Sequence, residues 1–176
     1  MTVIINGDTG IDKITDGSVV QADLAGGGLY PKVPAFGAYM SGDQSISTNT
    51  WTKVQFNSEL FDTDNFFDST TNYRFTPTVA GYYQINFRSR TIGTSSTATY
   101  FSIHKNGSPA GINSAALATN AGFQSMQTVS GIIYCNGSTD YIEFYVYNDG
   151  TSPFIDAAGG ADLGNTTTVD GVLVSV

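Results

Sequence analysis

Apolar and polar residues alternate with a period of two along most of the chain, the pattern of strands with one buried face. The clearest stretch is "RFTPTVAGYYQINFRSRTI" (74–92). There Tyr83, Ile85 and Phe87 fall on one face, and Gln84, Asn86, Arg88 and Arg90 on the other. Pro77 and Gly81 punctuate this stretch and predict a corner or bulge rather than a central ladder. In "TWTKVQFN" (50–57), Thr52, Val54 and Phe56 oppose Trp51, Lys53 and Gln55. In "TATYFSIHKNGSPAG" (97–111), Phe101 and Ile103 alternate with Tyr100, Ser102 and His104. Asn106-Gly107 predicts a hairpin turn, because both positions tolerate positive φ. "GFQSMQTVSGIIYCNGSTDYIEFYVYND" (122–149) predicts two strands around "CNGSTD". In the second of them Ile142, Phe144 and Val146 oppose Glu143, Tyr145 and Tyr147. "AFGAYMS" (35–41) is a first strand, and "TTTVDGVLVSV" (166–176) is a last one expected to be paired within a sheet. Only "AALATN" (115–120) suggests a turn of helix. Roughly eight to ten short strands at this spacing predict an all-β sandwich or jelly roll.

Residues 1–33 break the pattern. They carry one aromatic, Tyr30, and a run of three glycines at 26–28. Short apolar groups, among them Val3, Ile4, Ile5, Ile11 and Ile14, recur between Gly-Asp and Asp-Gly turn signals. Such a segment cannot bury these residues alone, so they are the candidate anchoring contacts to another body. The expected organisation is an N-terminal arm with a Gly-rich hinge over 1–33 and a β domain over 34–176.

Composition narrows the function. Charged residues make up 12% of the chain, against about 25% in an average domain. The formal charge is −8 with only seven Lys and Arg. A phosphate backbone needs clustered cations, so nucleic acid is not an expected partner. No stretch approaches the roughly 20 apolar residues of a membrane span, and the N-terminus lacks the basic and apolar regions of a secretory signal. Cys135 is the sole cysteine, which excludes an internal disulfide and reads as a small core or turn residue.

Candidate chemistry is sparse. His104 is the sole histidine, and no Gly-x-Ser-x-Gly elbow accompanies it. Glycosidase chemistry needs two flanking carboxylates. The acidic residues here are scattered over turns, where Asp bonds nearby backbone N–H groups. No catalytic residue is assigned. "FDTDNFFD" (61–68) supplies oxygen ligands for a hard cation through Asp62, Asp64 and Asp68. Calcium is therefore the one metal considered, and no other cofactor is implied. The acidic, glycine-rich "DAAGGADLG" (156–164) is a second such loop. Tyr100, Tyr141, Tyr145 and Tyr147 lie opposite the most apolar strand faces, and such tyrosines mark a protein interface or a sugar-binding surface.

Several pieces occur in an order that resembles the globular head of the complement component one q subcomponent, within the TNF-like jelly-roll superfamily. They are Phe36-x-Ala38, Val54-x-Phe56-Asn57, Phe67-Asp68, Phe75 through Gly81-x-Tyr83, Asn106-Gly107 and Gly171-x-Leu173. The resemblance spans roughly residues 34–176. It implies a ten-stranded antiparallel jelly roll, a homotrimer with aromatic residues of one sheet at the threefold interface (here Tyr100, Tyr141, Tyr145 and Tyr147), and recognition rather than catalysis. The chain lacks a collagen-like Gly-X-Y stalk. Its segment "TVIINGDTGIDKITDGSVVQADLA" instead resembles the repetitive, Gly-Asp-punctuated parts of bacteriophage tail-fibre and head-fibre proteins. The expectation that follows is a virion protein: a trimeric knob of a tail fibre, head fibre or capsid decoration. Residues 1–33 would bind other virion proteins, and distal loops would touch a host surface protein or polysaccharide. It would need no export signal, since virions leave by lysis. The alternative is a bacterial or secreted cell-surface module that recognises protein or polysaccharide.

Overall fold

In the computed structural model the described residues are 33–96, 98–117, 124–157 and 164–176. The expected arm and its residues Val3, Ile4, Ile5, Ile11 and Ile14 lie outside them. The described residues contain thirteen strand segments and no helix. In chain order these are β1 (Ala35–Tyr39), β2 (Gln44–Ser45), β3 (Thr52–Lys53), β4 (Ser58–Asp62), β5 (Phe67–Asp68) and β6 (Arg74–Phe75). They continue with β7 (Ala80–Thr94), β8 (Ala98–Lys105), β9 (Ser108–Leu117), β10 (Gln124–Asn136), β11 (Ile142–Asn148), β12 (Thr151–Asp156) and β13 (Thr168–Ser175).

The segments form two antiparallel sheets, so the all-β sandwich expected from the alternation is the observed architecture, with jelly-roll-like crossing between the sheets. The first sheet runs β4–β1–β13–β7–β10, with β12 also on β7 and β2 beyond it. The second runs β5–β6–β11–β8–β9, and β3 shares the β11 edge with β6. Four of the thirteen segments are only two residues long, and the other nine are the longer strands.

β7 organises the first sheet. One edge pairs with β10 along nearly its whole length, from Gln124↔Ile92 to Asn136↔Ala80. The other edge pairs with β13 from Thr168↔Arg88 to Ser175↔Tyr82, then with β12 up to Thr151↔Thr94. This corrects the expectation of a corner in place of a central ladder. Pro77 does break the stretch, between β6 and β7, but from Ala80 onward the strand is central. Gly81 permits the close crossing: a Cβ there would stand 2.5 Å from the Ser175 carbonyl oxygen and 2.6 Å from Leu173 Cδ1.

The core lies between the sheets and is rich in phenylalanine. Phe36 stacks on Phe75 and Phe67, with ring centroids 4.4 and 5.0 Å away. Phe56 meets Phe87 and Phe144 edge-on at 6.0 and 5.6 Å, the geometry that ring quadrupoles favour. Tyr83 is fully buried and donates its hydroxyl to the Val79 carbonyl at 2.8 Å. The inward face of β7 continues as Ser89 and Thr91, also fully buried, so one end of the interior is lined by hydroxyls. There Thr166 and Thr167 donate to the Asp156 carbonyl at 2.8 and 2.7 Å.

Several sequence expectations are corrected locally. "FDTDNFFD" is not a plain loop: Phe61 and Asp62 end β4, which pairs with β1, and Phe67-Asp68 form β5. β12, over "TSPFID", was not anticipated, because Pro153 and the short apolar run hide its alternation. Ala115, Ala116 and Leu117 belong to β9 and not to a helical turn. In "TWTKVQFN" burial alternates as expected, yet only Thr52 and Lys53 form ladder pairs.

Candidate functional site

The outer face of the second sheet gathers an aromatic group from β8, β11 and Trp51, which immediately precedes β3. The β11–β8 register sets Tyr147 beside Tyr100 and Tyr145 beside Ser102. The β8–β9 register sets Ser102 beside Asn113 and His104 beside Pro109. The β3 pairing brings Lys53 against Tyr145, which carries Trp51 next to Tyr147 with ring centroids 5.8 Å apart. Trp51 also lies 6.4 Å from Tyr100 and 6.1 Å from His104, and Tyr100 lies 5.6 Å from Tyr147. His104 stacks on Tyr145 at 4.1 Å. The result is a tilted platform of touching rings.

Beside this platform is an open depression of about 270 Å³ lined by Trp51, Tyr100, Ser102, Pro109 and Asn113. Trp51 is 44% exposed. Its charges are paired below the rings. Lys53 Nζ contacts Glu143 Oε1 at 2.8 Å, and the Tyr145 hydroxyl donates to Glu143 Oε2 at 3.2 Å. Burial, with help from Glu143, pushes the Tyr145 phenol up to about 12. Burial pulls the His104 imidazole below its ordinary range, against the opposing pull of the Gly107 backbone and Glu143. His104 is thus a packed strand residue and holds no nucleophile in hydrogen-bond reach.

Of the four tyrosines named from sequence, Tyr100, Tyr145 and Tyr147 meet here, each half-buried. The Tyr147 hydroxyl donates to Asn49 Oδ1 at 3.0 Å. Tyr141 lies elsewhere, with the Arg74 guanidinium 4.3 Å from its ring centre. The sequence reading placed Trp51 correctly opposite Val54 and Phe56 but gave it no role. Ser102 and Asn113 carry no signal that a single strand pattern could reveal.

The outer face of the first sheet differs. Tyr82 and Tyr134 are cross-strand partners, 5.3 Å between rings. Ile132 faces Gln84 from one side and Val172 from the other. Tyr82, Ile132, Tyr134, Val172 and Val174 are between 37% and 58% exposed. Next to this apolar strip lies a neutralised polar row. Gln84 Nε2 donates to Ser130 Oγ, Ser130 Oγ to Asn86 Oδ1, and Asn86 Nδ2 to Asp170 Oδ2, each at 2.7 Å. "GIIYC" reads as a continuous apolar run, so its outward residues Ile132 and Tyr134 could not be separated from inward Ile133 and Cys135. Burial pushes the Cys135 thiol up to about 11.

The acidic loop is spent on itself. Asp62 accepts from the backbone N–H of Asp64 at 3.2 Å and of Phe67 at 2.7 Å. Asp64 accepts the Thr63 hydroxyl at 2.8 Å. Asp68 accepts from the backbone N–H groups of Thr70, Thr71 and Asn72, and from the Thr70 hydroxyl and Asn72 amide. These donors, the Thr71 N–H foremost, hold its carboxyl far below the usual carboxylate range. Among the described residues no group of three or more His, Cys, Asp or Glu is arranged to hold a metal ion. In the second acidic loop Asp156 pairs with Arg90 at 2.5 Å; residues 158–163 lie outside the described set.

No protein-family model matches the chain, and no curated protein matches it. Among solved structures it is similar to one described as PRD1 vertex protein P5, at 16% identity and a TM-score of 0.49, over 81% of this chain and 96% of that one. Values this low transfer no role. What distinguishes the two faces is chemistry: apolar and exposed on the first sheet, aromatic with a neutral polar depression on the second.

Proposed function

We propose that the protein is a non-enzymatic structural and recognition component of a virus particle, a homotrimeric knob of a phage tail fibre, head fibre or capsid decoration. The observation that carries this reading is the exposed strip of Tyr82, Ile132, Tyr134, Val172 and Val174 on the first sheet. Exposed apolar side chains gathered on one sheet face, here on either side of Gln84, mark interaction sites. The adjoining carboxylate, Asp170, is exposed and accepts from Asn86 Nδ2, so it keeps its charge and must stay solvated or be paired when copies of the chain cover the strip. The trimeric state follows the resemblance to the complement-type heads. The virion setting follows the fibre-like segment at 1–33, whose Val3, Ile4, Ile5, Ile11 and Ile14 would bind neighbouring virion proteins.

This arrangement puts the interface on the first sheet in place of Tyr100, Tyr141, Tyr145 and Tyr147, and leaves the second sheet, which carries Tyr100, Tyr145 and Tyr147, outward for a host surface protein or polysaccharide. Three copies raise avidity for repeated ligands without any new contact. Mass spectrometry of purified particles from the producing culture tests the setting. The chain should co-purify with capsid and fibre proteins in stoichiometric amounts, and its absence from infectious particles would refute the virion reading.

A further inference from the structure

We propose that the depression beside Trp51 binds one neutral pyranose unit of a surface glycan, an assignment that rests on the recognition role above and names its ligand class. The site joins an apolar floor to neutral hydrogen-bonding groups. Trp51, Tyr100 and Pro109 supply flat apolar surface, and Ser102 and Asn113 supply a hydroxyl and an amide. A pyranose presents the matching pair, a C–H face and a rim of hydroxyls. At about 270 Å³ the depression falls just below the range of roughly 300–1,000 Å³ typical of drug-sized ligands, which suits one ring with its chain continuing along the sheet.

Charge selects the neutral class. Lys53, beside Tyr145 in the β3–β11 register, is paired with Glu143 at 2.8 Å, Arg74 lies over the Tyr141 ring, and the chain carries a formal charge of −8. Acidic sugars therefore find no cation in the lining of the depression and a repelling background. A quaternary ammonium ion would need aromatic faces set apart around it. Here the rings of Trp51, Tyr100 and Tyr147 lie 5.6 to 6.4 Å apart and touch one another, so they form a floor and not a cage.

The chain has one tryptophan, so its emission reports on this site alone. The full-length protein is titrated with maltotriose, cellotriose, galactotriose and triacetylchitotriose, with choline chloride and sialyllactose as controls. At least one neutral trisaccharide should give a saturable change in Trp51 emission, with a dissociation constant below about 10 mM, and the controls should give none. By calorimetry, Trp51→Ala and Asn113→Ala should weaken binding at least roughly tenfold, while Trp51→Tyr should retain part of it. Unchanged melting of each variant confirms its fold. Silence from all four trisaccharides, a response to a control alone, or binding that survives Trp51→Ala overturns the proposal. Loss of this proposal leaves particle incorporation standing, and failure of incorporation leaves saccharide binding measurable.

Discussion

Asp140 accepts a hydrogen bond from Asn106 Nδ2 at 2.7 Å and so ties together two turns 34 residues apart in sequence. The same carboxylate takes the Asn136 backbone N–H at 2.9 Å and pairs with Lys105 Nζ at 2.8 Å. Asn106 in turn accepts the Tyr141 N–H at 2.9 Å. The hairpin turn and the "CNGSTD" turn are thus one unit at one end of the sandwich.

Removing that carboxylate should be costly. Asp140→Ala leaves Lys105, Asn106 and the Asn136 N–H without their charged acceptor, for about 2–3 kcal/mol. A thermal melt at neutral pH should fall by roughly 5–10 °C. The Lys105 and Asn106 donors hold the Asp140 carboxyl below its usual range. Its contribution is therefore complete above the unfolded carboxylate pKa of about 3.9 and is lost as pH falls below that. The gap between wild type and variant should narrow in acid; a constant gap would show that packing alone is at stake.

His104 sets a second pH window. Its folded pKa is lowered by burial, so the unfolded chain binds the extra proton first. Stability should be full above the unfolded value of about 6.5 and should decline as pH falls from there. His104→Phe keeps a ring on Tyr145 and should flatten the pH dependence of the melting temperature below about pH 6.5.

The phenylalanine core leaves no room at Gly171. A Cβ there would stand 2.5 Å from Phe36 Cε1 and 2.7 Å from Ile85 Cδ1. Gly171→Ala should cost about 1–3 kcal/mol in denaturant unfolding. Gly42→Ala, where nothing lies within 4 Å, serves as the neutral control.

Calcium should change little. Asp62 and Asp68 already accept two and five hydrogen bonds from their own loops. Differential scanning fluorimetry with millimolar calcium or with chelator should give the same melting temperature to within about 1 °C. A rise of many degrees would restore Asp62, Asp64 and Asp68 as ligands.

Much of this fold was legible because period-two burial is a local signal. Tyr83, Ile85 and Phe87, then Ile142, Phe144 and Val146, alternate cleanly and are all fully buried. Asn106-Gly107 announced its hairpin, with φ of 53° and 77°. The centrality of β7 was not legible, because pairing partners are a long-range property. Gly81 resembles a bulge until Ser175 and Leu173 are seen lying against it. The apolar strip on the first sheet was not legible for the same reason. Tyr100 joins Tyr145 and Tyr147 only once β8 flanks β11, Trp51 joins them only through the β3 pairing, and Tyr82 meets Tyr134 only through the β7–β10 register.

The central claim is that copies of this chain cover the Tyr82–Ile132–Tyr134 strip. Light scattering coupled to size exclusion tests it most directly, with wild type beside Ile132→Glu, a change at a position 58% exposed. Wild type should elute at about three times the 18.6 kDa of one chain, and Ile132→Glu should shift toward monomer with its far-ultraviolet dichroism intact. A wild-type monomer at micromolar concentration, or an Ile132→Glu variant that stays trimeric, would contradict the account.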